Sequence, residues 1–130
     1  MAHAQHPFAT IFACSDSREA PEIIFDRGLG DLFVVRTAGH ALDRAALGSI
    51  AFSIEYLRVP LVAVMGHERC GAVKATLEAL QNHQRAPDAL QSLVNLIRPA
   101  FDDYPVTPDM LDFAIQANIR YTVRHLVQTP

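Results

Sequence analysis

The chain has 130 residues, half of them hydrophobic, enough for one compact domain that buries about two-thirds of its unfolded surface, and this excludes extensive disorder. Fourteen acidic residues against eleven Lys plus Arg leave a formal net charge of −3, and the basic residues are scattered, so neither nucleic acid nor an anionic membrane surface is expected as a partner. No apolar run approaches the roughly 18 residues of a membrane span, and residues 1–7 lack the basic start and apolar middle of a secretory signal. The expectation is a single cytoplasmic domain over residues 1–130, without membrane insertion.

The first apolar run, Phe8 to Ala13, predicts a strand buried on both faces. It ends at Cys14 in a polar loop, Cys14-Ser-Asp-Ser-Arg18. Pro21 suits the first turn of a short helix through Arg27, with Glu22 near its positive end and Gly28 placed to stop it. Leu32 to Arg36 predicts a second strand and Thr37 to Leu42 a loop. Asp43 is placed to cap a helix through Leu57, whose apolar positions 46, 47, 50, 54 and 57 recur at helical spacing. Val59-Pro60 closes that helix and launches a third strand, Leu61 to Met65, read as buried, which runs into Gly66, His67 and Cys70.

Helical spacing resumes from Glu68 to Leu80. A polar connector, Gln81 to Asp88, leads to a short helix over Ala89 to Ile97 that Pro99 stops, and then to a loop over Asp102 to Pro108. The last helix, Asp109 to Val127, is expected to bury Met110, Phe113, Ile115, Ile119, Val123 and Leu126. There are no internal repeats. This order predicts an α/β fold of three layers, a central mostly parallel sheet flanked by helices. Ligands in such sheets bind beyond the carboxyl ends of the strands at a topological switch point, which opens between Cys14 and His67 if the strand order is 2-1-3.

Both cysteines lie where an apolar strand stops. A lone buried cysteine is usually a small core residue and a lone histidine an ordinary core or loop group, but together Cys14, His67 and Cys70 supply two soft thiolates and an imidazole. That set favours tetrahedral zinc with one position left over. Asp16 and Arg18 follow Cys14 at spacing two, which places all three on one side if the segment stays extended. Arg18 can then grip Asp16 through a bidentate pair and keep it ionised. So held, Asp16 either accepts a hydrogen bond from the zinc-bound hydroxide or binds the metal itself and closes the site. Gly66-x4-Gly71 lacks the Lys-Ser or Lys-Thr of a phosphate loop, and no C-x-x-C motif supports a redox pair.

Taken in order, Cys14-x-Asp16-x-Arg18 and His67-x-x-Cys70 resemble the β-class carbonic anhydrases. The resemblance runs from about Gln5 to Leu80 and includes Asp26-Arg-Gly-Leu-Gly-Asp-Leu-Phe-Val-Val-Arg-Thr-Ala-Gly39, Gly48-Ser-Ile50, Glu55-Tyr56 and Gly66-His-Glu-Arg-Cys-Gly-Ala-Val73. It implies reversible hydration of carbon dioxide to bicarbonate and a proton by attack of zinc-bound hydroxide, with one Zn2+ per chain on Cys14, His67 and Cys70. Asp16 and Arg18 correspond to the catalytic dyad, with Asp16 the fourth ligand in a closed state. Gln5, Phe33, Ala38, Tyr56 and the backbone of Gly71 fall where the family lines its substrate pocket, partly from a dimer partner, so a homodimer or higher homo-oligomer is implied. Arg36 matches the arginine of a bicarbonate-inhibited pocket, but Ile11 stands where those members carry Trp. Relative to the family the chain is expected to be shortened at both ends. Two other readings accommodate the same residues: hydrolysis of carbonyl sulfide or carbon disulfide on the same metal, and a zinc-stabilised, non-catalytic assembly domain.

Overall fold

The computed structural model describes residues 3–130 and divides into two compact units, one ending at Met65 and the other running from Gly66 to Pro130. The first is built on three parallel strands: β1 (Ala9–Cys14), β2 (Leu32–Thr37) and β3 (Val62–Met65). Their order is β2-β1-β3, the 2-1-3 order expected. Thr10 lies opposite Phe33 on one side and Val62 on the other. All six residues of β1 are buried, as a central strand between parallel neighbours requires. Phe8 stays outside the strand, half exposed, its amide tied to the Asp31 carbonyl and its ring 5.4 Å from the Arg27 guanidinium. β3 is half-buried instead of fully buried, and Leu61 before it is exposed.

Helix α1 (Pro21–Ile24) is shorter than the expected span to Arg27, because Asp26 takes a left-handed φ of 50° that a helix cannot pass through. Helix α2 (Arg44–Glu55) begins where predicted, with the Asp43 carboxylate accepting from the Ala46 amide at 2.7 Å. It packs against β1 and β2 through Ala46, Ile50 and Ser53, while Ile54, expected on that face, is largely exposed. The Thr10 hydroxyl donates to Ser53 Oγ at 2.7 Å, and Ser53 donates on to the Ile50 carbonyl at 2.7 Å. Both residues are fully buried, so this short relay satisfies hydroxyls that burial would otherwise penalise.

The second unit is helical: α3 (Gly71–Gln81), α4 (Asp88–Ile97), a 3-10 turn over Arg98–Phe101, and α5 (Leu111–Gln128). Helix α3 packs against α4 and α5, and the 3-10 turn against α5. Val73, Ile97 and Phe101 are among its most deeply buried side chains. The buried face of α5 differs from the expected stripe. Ala114, Ile115, Ala117, Asn118 and Thr122 line it, whereas Phe113 and Val123 are more than 40% exposed. Small side chains let α5 approach its neighbours closely, and Phe113 instead meets Tyr104 edge-on at 4.8 Å. Among the described residues, no helix is long and apolar enough to cross a membrane.

Candidate metal centre

Cys14 is the last residue of β1, at the carboxyl edge of the sheet, and its Sγ accepts a hydrogen bond from the Gly39 amide at 3.1 Å. Gly39 belongs to a tight turn over Ala38–His40 and has φ 62°, a conformation that glycine adopts without the penalty a Cβ brings. The turn replaces the featureless loop expected over Thr37 to Leu42, and it aims a backbone donor at the sulfur.

His67 and Cys70 lie in the segment joining β3 to α3. Helical spacing predicts a start at Glu68, but Arg69 has a left-handed φ of 54° and Cys70 is extended, so α3 starts at Gly71. The four residues from His67 to Cys70 thus form a turn, with Cys70 at the helix cap. His67 Nδ1 lies 2.9 Å from the Glu68 carbonyl. Because a carbonyl only accepts, Nδ1 carries the proton and Nε2 presents its lone pair, the tautomer in which metal-ligating histidines are commonly held.

The candidate ligand atoms of Cys14, His67 and Cys70 all lie within 4.8 Å of one another, and all three residues are buried. Tetrahedral zinc bound at about 2.3 Å to sulfur and 2.0–2.1 Å to nitrogen requires separations of about 3.5–3.8 Å between such ligands. The trio therefore fits a metal ion both in spacing and in donor chemistry.

Beyond Cys14 the backbone does not stay extended. The Arg18 amide donates to Asp16 Oδ1 at 2.9 Å and the Glu19 amide to the Asp16 carbonyl at 3.0 Å, folding residues 16–19 into a turn. Arg18 still grips Asp16 through a fork, Nε to Oδ1 at 2.9 Å and Nη2 to Oδ2 at 2.7 Å. The pair arises from the turn and not from strand alternation. Hydrogen bonding to Asp16, then the carboxylate's charge, raises the Arg18 pKa above its already high ordinary value, so the guanidinium keeps its proton throughout the usable pH range. Asp16 is largely covered while Arg18 is more than half exposed.

The remaining predicted positions are spread around the first unit and the start of α3. Gln5 is exposed ahead of β1 and Ala38 is half-buried in the turn beside Gly39. Phe33 on β2 leans on Phe52 at 6.2 Å, and Phe52 stacks on the exposed Tyr56 at 5.3 Å. Gly71 opens α3 and is exposed, so its amide is one of the first-turn donors that no helical carbonyl satisfies. Two contacts escaped the sequence reading, which named Arg36 only as the counterpart of an anion-pocket arginine. Gly39 donates to the Cys14 sulfur, and Arg36 donates from Nε to the Cys14 carbonyl at 2.8 Å and from Nη2 to the Asp16 carbonyl at 2.6 Å.

Comparison with known proteins agrees with this arrangement. The carbonic anhydrase family model matches residues 9–130. A carbonic anhydrase of Mycolicibacterium smegmatis is 51% identical over 100 residues, covering 77% of this chain and 48% of that protein. A carbonic anhydrase of Synechococcus elongatus is 35% identical over 140 residues, covering 99% of this chain and 52% of that protein. The chain thus spans about half the length of the curated relatives it matches. Among solved structures, the β-carbonic anhydrase CcaA superposes with a TM-score of 0.81 at 27% identity, over 99% of this chain and 68% of that one. One of two tetrameric β-carbonic anhydrases of Sordaria macrospora gives 0.84 at 22% identity, over 99% and 68%. By sequence and by fold, the chain belongs to the carbonic anhydrase family, in its β-class.

Proposed function

We propose that this protein catalyses the zinc-dependent, reversible hydration of carbon dioxide to bicarbonate and a proton, with residues 1–130 acting as one domain. The observation that carries the reading is the buried trio of Cys14, His67 and Cys70 in a chain of this family. These three residues hold one zinc ion per chain; the metal, when bound, acidifies a coordinated water and so supplies a nucleophile near neutral pH. Two thiolates neutralise the formal charge of the ion, so the surrounding residues must assist.

Asp16 is the residue that orients the attacking water. Its carboxylate is fixed in plane by the Arg18 fork and by the Arg18 amide, and an ionised acceptor of fixed direction aims the water's remaining lone pair at the substrate carbon. Released from that geometry, Asp16 would be the group that binds the metal and closes the site. Phe33, Ala38 and Tyr56, part of them contributed by a dimer partner, give the small apolar substrate a place from which bulk water is excluded, while Gln5 and the Gly71 amide donate to its oxygens. The working form is a homodimer or higher homo-oligomer. The exposed Tyr56, Ile23 and Leu29 of the first unit support this, and relatives of the same fold include tetramers.

The test is stopped-flow hydration of carbon dioxide by zinc-loaded protein, followed with a pH indicator. Turnover above the uncatalysed rate, abolished by Cys70→Ser, is the expected result. Folded protein carrying one zinc per chain and giving no turnover would remove the proposal in favour of a metal-stabilised assembly domain.

A further inference from the structure

We propose that Arg36 is a positioning residue of the metal centre, a brace that fixes where β1 delivers Cys14 and Asp16, and not a ligand for an anion. Arg36 is the second-last residue of β2 and pairs in register with Ala13. The strand ladder ends one step later, at Cys14 opposite Thr37, so residues 15 and 16 leave the sheet just where the site needs them held. Four hydrogen bonds with residues 36–39 do the holding. Two come from the Arg36 guanidinium, Nε to the Cys14 carbonyl at 2.8 Å and Nη2 to the Asp16 carbonyl at 2.6 Å. The others are the Ser15 amide donating to the Thr37 carbonyl at 2.9 Å and the Gly39 amide donating to Cys14 Sγ at 3.1 Å.

The two carbonyls that Arg36 engages flank Ser15, and through them it fixes the main chain at both functional positions. Hydrogen bonds from a charged donor are roughly twice as strong as neutral ones, and the planar fork of a guanidinium sets the angle between its two acceptors where a lysine ammonium sets none. A guanidinium turned toward main-chain carbonyls is also turned away from any anion lodged elsewhere. The inference rests on reading Cys14 as a metal ligand.

The experiment is a cobalt(II) titration of the full chain and of Arg36→Ala and Arg36→Lys, read by the thiolate-to-cobalt absorption. Loss of groups that orient metal ligands commonly weakens metal binding about 10–100-fold, and that loss is expected for Arg36→Ala. Arg36→Lys is expected to behave like the alanine variant, because it restores charge without the fork. Methylguanidinium at non-denaturing concentration is expected to recover about a tenfold part of the lost affinity in Arg36→Ala and none in the parent chain. Cobalt affinity within about twofold of the parent in either folded variant would overturn the proposal, as would a weakened Arg36→Ala that methylguanidinium leaves unchanged. If Arg36→Ala does not fold, the lysine variant carries the same test. A parent chain that binds cobalt through thiolates but hydrates no carbon dioxide removes the proposed activity and leaves the role of Arg36 standing; one that gives no thiolate-to-cobalt absorption overturns both.

Discussion

Gly66, the residue before His67, is selected by space. Its φ is not left-handed, so the backbone does not demand glycine. A Cβ built on it would lie 2.7 Å from Cδ1 and 2.9 Å from Cγ1 of Ile119 on α5, and 3.5 Å from Cγ2 of Ile115. Carbon atoms pack at about 3.5–4.0 Å, so Gly66→Ala forces Ile119 to move. The Cδ1 contact alone could be relieved by rotating the end of the side chain. The Cγ1 contact lies one bond from the Ile119 Cβ, and relieving it requires a poor χ1 rotamer or a shift of α5.

Overpacking of this kind costs about 1–3 kcal/mol, offset by about 0.4–1 kcal/mol from the reduced freedom of the unfolded chain. The expected net loss is about 1–2 kcal/mol, or about 3–10 °C in Tm for a domain of this size. Ile119→Ala removes both clashing atoms. Thermal and urea unfolding of the four chains of this double-mutant cycle should therefore show Gly66→Ala neutral or stabilising by up to about 1 kcal/mol in the Ile119→Ala background, a coupling of about 1–3 kcal/mol. Equal cost in both backgrounds, or a Gly66→Ala chain as stable as the parent, would refute the steric account.

Four further outcomes are expected. Ser53→Ala removes the acceptor of the buried Thr10 hydroxyl and should cost about 1–3 kcal/mol in urea unfolding, with Thr10→Val/Ser53→Ala costing less than the sum of the two single changes; an additive result would count against the relay. Asp43→Ala should lower stability by about 1 kcal/mol and Asp43→Ser should recover most of it, since a serine hydroxyl can also cap the Ala46 amide. If Asp16 and Arg18 act as one device, Asp16→Asn and Arg18→Ala should each lower kcat/KM at least about tenfold, and the double variant should fall no further than the weaker single one; multiplied losses would separate their roles. Removal of zinc by a chelator should lower Tm, and restoring the free metal to about 100-fold above its Kd should return about 2.7 kcal/mol; an unchanged Tm would mean that the trio binds no metal in the folded chain.

The sheet was legible because its information lies in side chains. Three apolar runs separated by helical spacing leave few parallel arrangements, and 2-1-3 is the observed one. The grouping of Cys14, His67 and Cys70 was legible for a similar reason, since each of them marks the end of a strand or the start of a helix. Local backbone conformation was not legible. Arg69 and Asp26 adopt left-handed φ values that nothing in the apolar periodicity announces, and these shift the start of α3 and shorten α1. On the last helix Met110 and Ile115 are buried as expected, but Phe113 and Val123 were misplaced because large apolar residues dominate a periodicity argument. In close packing Ala114 and Ala117 matter more than Phe113. The Gly39 contribution comes from an amide, which every residue but proline has, so only the glycine beyond a strand hinted at it.

The place of β1 in its sheet also governs the order in which the molecule can form. It leaves the ribosome before both of its neighbours, β2 and β3, and Thr10 waits for Val62 before its second side is paired. In loop-closure entropy the more distant pairing is only about 0.7 kcal/mol costlier than the nearer one. The delay in time is what matters, because non-local parallel pairing is slow and an unpaired apolar strand is prone to wrong partners meanwhile. Ala9, Ile11, Phe12 and Ala13, all nearly inaccessible in the finished protein, are open to aggregation until β3 has been synthesised. Yield on expression should therefore depend on chaperone supply more steeply than the stability of the finished fold would suggest.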